Sequence, residues 1–379
     1  MKKTLIAAAA LCAISGAAHA ESTVTLYGLL DASINYTSNT GGNSRLNMDS
    51  GTMQGSRWGL RITEDLGNGL KAVGALESGF HIGNGHAAQK GRLFGRQAYV
   101  GLSSDRFGTV TMGRQYLVSS DFVAPLTMTS WAGSLGTHPL DLDNLDNSHR
   151  ASNAIKYISA SYGGFQFGGS ISPGGVAGRM GQDLVWSLGA GYNNGPFAAG
   201  VSYISSRDAN ASPFSKFNKL GWTSDWKLAS NPAEVRYNSA ALGANYKFGS
   251  ATVGAVISHT DFKSANDGIA KRNNFDVKAL SAELHTSYQL SPTLQVGAGY
   301  SFTRMSLPGE PGTNKREALP FHQLSLGSTY SLSKRTDVYV LAAVQKATGK
   351  DSQASIGDSP DFSSTKSQFK TSVGLRHKF

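Results

Sequence analysis

Cysteine is nearly absent. The only one among 379 residues is Cys12, which leaves none between Glu21 and Phe379. A secreted domain stapled by disulfides carries them in pairs, so a disulfide framework is excluded and stability must come from another source. After Ala20 no run approaches eighteen apolar residues, which excludes helical membrane spans. There is no Pro/Ser-rich linker and no shift in composition, so one large architecture is expected rather than two domains. Histidines 81, 86, 138, 149, 259, 285, 322 and 377 are scattered singly, without an HExxH or other paired spacing. That pattern argues against an enzyme and leaves each histidine as a wall residue. Acidic residues are outnumbered, 25 against 35 Lys and Arg, yet the basic residues form no run and no recognition motif. Nucleic-acid binding is therefore not expected, whereas attraction of small anions is.

The first twenty residues read as an address. Lys2 and Lys3 are followed by an apolar stretch from Thr4 to Ala17 and by Ala18-His19-Ala20, a small-residue cleavage motif. Residues 1–20 are expected to be a cleaved signal peptide and 21–379 the mature chain. Without Lys2 and Lys3, 33 basic and 25 acidic residues remain, a net charge of +8.

What the chain has in abundance is glycine, 45 residues, and an alternation of period two. Phe369, Val373, Leu375 and Phe379 fall on one face of the last strand, and Lys370, Ser372, Gly374, Arg376 and Lys378 on the other. The same period sets Val24, Leu26, Leu30, Ala32 and Ile34 against Thr25, Asp31, Ser33 and Asn35. It recurs at Leu280–Tyr288 and Leu294–Phe302. Connections alternate in length. Seven are tight, among them Gly67-Asn68-Gly69, Gly163-Gly164 and Gly249-Ser250. Eight are long and polar, roughly 37–54, 83–92, 117–150, 173–183, 207–234, 263–275, 307–320 and 347–366. Together they join sixteen strands. The fold class expected is all-β: a transmembrane antiparallel β-barrel of 16 strands, with short periplasmic turns and long extracellular loops. A soluble sandwich or propeller would also alternate. Three features argue for the membrane: a lightly built apolar face; aromatics near strand ends (Tyr27, Tyr36, Trp58, Phe80, Tyr99, Tyr157, Tyr246 and Tyr330); and a final strand ending on Phe379. In lipid only a closed sheet satisfies every backbone group, so the last strand must pair with the first, and a barrel this wide keeps an aqueous lumen.

Several blocks are similar to the Gram-negative porin family of β-proteobacteria. They include Val24-Thr25-Leu26-Tyr27-Gly28, Ser56-Arg57-Trp58-Gly59-Leu60, the stretch from Leu93 to Leu102, that from Phe107 to Gln115, and the ending Val373–Phe379. The resemblance runs through the mature chain. It implies a homotrimer of three pores in the cell outer membrane, in contact with lipids and lipopolysaccharide and inserted by the barrel assembly machinery. It also implies a third loop, here 117–150, folded into the pore. Matching motif blocks put Arg57, Arg96 and Arg150 on a basic wall of the constriction and Glu77 opposite them, and the third loop adds Asp121 and Asp143 as candidates for the acidic side. Periodicity agrees for Arg57, because Trp58, Leu60 and Ile62 take the outer phase. Arg96 shares the phase of Phe94, Ala98, Val100 and Leu102, so either that strand faces a neighbouring subunit or its register shifts. The run Asp141–Asp146 could be read as a calcium loop, but it lacks that motif's glycine and terminal Glu. The resemblance also gives Phe379 two roles, barrel closure and assembly signal. The function implied is passive diffusion of small hydrophilic solutes and ions with modest anion preference, without cofactor or metal. The alternative is a substrate-specific channel for small organic or inorganic anions.

Overall fold

The computed structural model describes residues 22–207, 235–264, 276–308, 316–350, 352–357 and 361–379. The expected signal peptide and most of the fifth and sixth loops lie outside the described residues. Seventeen antiparallel strands form one sheet. In chain order they are β1 Ser22–Thr40, β2 Asn43–Ser50, β3 Arg57–Gly67, β4 Leu70–Gly79, β5 Gln97–Ser104, β6 Gly108–Tyr116, β7 Arg150–Ile158 and β8 Phe165–Ser172. There follow β9 Val185–Asn194, β10 Phe197–Ser206, β11 Val235–Phe248, β12 Ala251–Ser264, β13 Asp276–Gln289, β14 Leu294–Pro308, β15 Arg316–Ser331, β16 Thr336–Ala347 and β17 Ser367–Lys378.

The last strand closes on the first: β17 pairs with β1 from Leu29↔Lys378 to Thr37↔Lys370. Beyond that ladder, Phe379 N–H donates to Gly28 O at 3.1 Å and Gly28 N–H to Phe379 O at 3.0 Å. No free edge is left along this seam.

Seventeen strands make sixteen staves, because β2 and β3 are the two halves of one stave. Both pair with the same edge of β1, β3 over Ser22–Leu29 and β2 beyond Ala32. Between Leu29↔Arg57 and Ala32↔Ser50, two residues of β1 face the six residues 51–56. The surplus leaves the sheet as a bulge, entered at Gly51 (φ +83°), where a Cβ would meet Gly55 Cα at 2.6 Å. Buried Asp31 holds the bulge in place: its carboxylate accepts from Gln54 N–H at 2.6 Å and from the Tyr339 hydroxyl at 2.6 Å. The expected first loop, 37–54, is therefore corrected. Only Gly41 and Gly42 turn there, and 43–50 is strand. The run reads as loop in sequence because only Leu46 and Met48 of this half-stave are apolar; its cavity-facing residues Arg45, Asn47 and Asp49 are all polar.

The apolar phase of the staves faces outward all round, with Val24, Ile34, Val100, Leu284 and Val373 each more than half exposed. An apolar belt of that extent is untenable in water and suits hydrocarbon. Phe107, Tyr162, Phe248, Tyr288 and Tyr330 ring the short-turn end. Tyr27 is not part of a girdle, since its hydroxyl donates inward to Glu77 at 3.0 Å.

The core lies inside the barrel. Segment 117–149 crosses the interior and packs its apolar side chains on the inner wall. Leu117, Leu140 and Leu142 join Tyr237, Phe262, Met305, Leu319 and Phe321 in one buried cluster. Met53 of the bulge joins Leu135 of the segment, Leu341 and Ile356 in another.

Candidate functional site

The interior segment begins where β6 ends. Two short helical turns, Ser119–Phe122 and Thr129–Ala132, keep its backbone groups paired, and its aromatics enter glycine-lined slots. A Cβ on Gly200 of β10 would lie 2.0 Å from Phe122 O, and one on Gly297 of β14 would lie 2.5 Å from the Trp131 ring. Only hydrogen at those positions lets the segment come so near the wall. Its outer side is tied to the bulge, where Ser134 N–H donates to Thr52 O at 2.8 Å. A further bond runs to the last long connection, from Leu140 N–H to Gly357 O at 3.3 Å.

What the segment leaves open is a cavity of about 1170 Å³. Seven basic residues line it (Arg45, Arg57, Arg96, Arg150, Lys156, Lys370 and Arg376) against four acidic ones, Asp49, Asp121, Asp146 and Asp361. All three arginines singled out from the sequence reach it. Arg57 does so by the alternation of β3. Arg96 does so because it stands one residue ahead of β5, where the outward phase has not begun. The neighbouring Phe94 stays outside, edge-on to Trp58 at 6.2 Å. Arg150 opens β7, whose register against β6 shifts at Asn153 (φ +55°).

The residue that gathers the arginines is Tyr116, which no motif in the sequence singles out. Its hydroxyl accepts from Arg96 Nη2 at 2.6 Å and from Arg150 Nη2 at 3.2 Å. Both guanidiniums also lie over its ring, at 5.9 and 4.6 Å from the centroid. A tyrosine at the junction of strand and long loop is the only signal that could have pointed to it.

Of the three acidic residues singled out, Asp121 reaches the cavity and Glu77 and Asp143 do not. Glu77 is buried on the arginine side, with Oε1 2.7 Å from Arg96 Nε, and does not line the cavity. Register explains this: Glu77 lies on β4 opposite Gln97, next to Arg96 and not across the lumen from it. Asp121 lines the cavity but is paired with Lys156 at 2.6 Å. Burial pushes its carboxyl up, and the Lys156 ammonium pulls it back only in part. Asp143 is buried against the far wall, bonded to His138 Nδ1 at 2.6 Å and to the Ser258 hydroxyl at 2.6 Å. Asp146, three residues on, takes the cavity-lining place. Asp141, first residue of the run compared with a calcium loop, caps backbone instead. Its carboxylate accepts from Asp146 N–H at 2.8 Å and Ser148 N–H at 3.0 Å, closing the loop's own turn.

Two histidines that stand alone in the sequence meet in space. His138 of the segment and His285 of β13 flank Glu283, at 3.4 and 2.8 Å. Both are buried and not exposed on a polar wall.

Comparison with known proteins places this architecture. The family model of the Gram-negative porin matches residues 7–350. An outer membrane porin protein of Bordetella pertussis is 32% identical over 419 residues, covering both chains fully. Outer membrane porin protein 32 of Delftia acidovorans is 32% identical over 403 residues, again with full coverage of both. Among solved structures, the anion-selective porin from Comamonas acidovorans superposes with a TM-score of 0.72 at 25% identity, over 95% of this chain and all of that one. These relatives are channel proteins, not enzymes. With a closed sixteen-stave barrel, an apolar outer belt and a charged interior cavity, the chain belongs to the Gram-negative porin family and is an outer-membrane porin.

Proposed function

We propose that the barrel passes small hydrophilic solutes and ions by passive diffusion, with a modest preference for anions, and that segment 117–149 narrows the channel to its constriction. The observation that carries this reading is the cavity's charge. Basic residues outnumber acidic ones, and no close ion pair joins Arg57, Arg150 or Lys370 to a carboxylate among the described residues. Charge focused between low-dielectric walls decides which ion enters. In this reading Arg57, Arg96 and Arg150 form the basic wall, and Asp146 with lysine-paired Asp121 the weaker acidic side. Glu77 serves to hold Arg96. The similarity to an anion-selective porin supports the same sign. Residues 1–20 are read as a signal peptide removed on export, and the channel as a homotrimer.

The test is the current through planar bilayers containing the purified protein. Conductance rising in proportion to KCl, with a reversal potential of anion sign in a KCl gradient, is expected. A cation-preferring reversal potential overturns the anion preference. Conductance that saturates with one organic anion replaces the general channel by the substrate-specific one.

A further inference from the structure

Deep in the barrel, away from the arginines, lies a set of buried ionisable groups that do not line the cavity. His138 Nδ1 meets Asp143 Oδ2 at 2.6 Å within the interior segment, and His138 Nε2 lies 3.4 Å from Glu283 Oε2 on β13. The other oxygen of Glu283 accepts from Met128 N–H of the segment at 2.7 Å and contacts His285 Nδ1 at 2.8 Å. Asp143 in turn accepts from Ser258 of β12 at 2.6 Å. His138, Asp143, Glu283 and His285 are each no more than 4% exposed. No lysine or arginine pairs with either carboxylate among the described residues. Buried charges of one sign need a counter-charge close by, and a protonated His138 lies between both. Asp141 and the Tyr237 hydroxyl of β11 are the remaining ionisable groups on the Asp143 side.

We propose that His138, held as a cation between Asp143 of the segment and Glu283 of the wall, is the clasp that fixes the constriction segment and so the channel's cross-section. His138 is a positioning residue, and this inference rests on the reading of 117–149 as the constriction. The clasp crosses the boundary between segment and wall at three points, Glu283 to His138, Glu283 to Met128 and Asp143 to Ser258. The glycine slots supply contact there but no charge. Burial opposes the proton on His138, but the Asp143 and Glu283 carboxylates outweigh it and hold its pKa up to about 10. A group raised in the folded state contributes fully below its ordinary value, 6.5, and loses that contribution as pH rises through about 10. The clasp is therefore closed throughout the neutral range and opens only in alkali.

Single-channel recording between pH 7 and alkaline pH tests it, on wild type, His138→Gln and the charge-free variant His138→Gln/Asp143→Asn/Glu283→Gln. Wild type is expected to hold one steady open level that is lost as pH passes about 10. His138→Gln leaves Asp143 without its cation and Glu283 facing only His285, and is expected to lose the steady level already at pH 7. The charge-free variant removes the cation together with both carboxylates and leaves only His285 of the set, which costs far less than removing the cation alone, so it regains a steady level and shows no alkaline loss. If His138→Gln folds and keeps the wild-type level and pH profile, the clasp is wrong. If His138→Gln does not fold, the other two decide: an alkaline loss that persists in the charge-free variant overturns the proposal. Arginine replacements that leave selectivity untouched would count against the constriction reading alone.

Discussion

At the scale of single residues, glycine on the inner wall does as much for the interior as the charges do. Gly200 and Gly297 sit in strand interiors, where glycine costs order, and each is explained by what it admits: Phe122 backbone at one, the Trp131 ring at the other. Replacing Gly200 by Ala is expected to destabilise by about 1–3 kcal/mol, as overpacking does, because backbone cannot yield as a flexible side chain can. Gly83→Ala, where nothing lies within 4 Å, is the control and should change nothing. The temperature at which the unboiled band unfolds on a denaturing gel measures both; equal values for the two variants would contradict the slot. Tyr116 makes the complementary point, since one hydroxyl accepting from two arginines orients a cluster whose members repel one another.

Among the elements, what is legible in sequence divides along a physical line. Strand alternation is local, so β1, β3, β13, β14 and β17 are legible as staves, and the seven tight turns with them. The broken stave is not. Whether a polar run beside Gly51 is loop or half-stave depends on its pairing with β1, which is a long-range fact. The seat of the interior segment does leave a trace: from Val338 to Val344, β16 is apolar in both phases, and such a run signals burial on both faces. Of the residues singled out, Arg57, Arg96 and Arg150 reach the cavity lining whereas Glu77 and Asp143 do not, because a carboxylate's partner is set by neighbouring strands and not by sequence distance. At the seam, Phe379 exchanges two backbone bonds with Gly28, and its ring fills the space over that glycine, where a Cβ would lie 2.2 Å away. Deleting Phe379 is expected to remove both bonds and lower the yield of the folded, heat-modifiable barrel on unboiled gels, while Phe379→Tyr keeps it. Normal accumulation of the truncated protein would reduce the residue to packing.

For the whole molecule, closure and charge belong together. The closed sheet removes every edge along the wall, so apolar side chains can cover the outside while polar and charged ones are carried within. The interior segment then divides the lumen into a packed half, with its buried clusters and the histidine clasp, and an open half lined by an excess of basic residues. In the function proposed above, solutes meet only the second. Long-range fields in such a channel weaken with salt, because screening shortens to about 3 Å at molar ionic strength. The measurement that tests the account most directly is therefore made in dilute salt: the reversal potential of the Arg57→Ser/Arg96→Ser/Arg150→Ser variant in a KCl gradient, beside that of the wild type. The account predicts a shift toward cations and a small gain in conductance, both fading at molar salt. A triple variant that folds and keeps the wild-type reversal potential would contradict it.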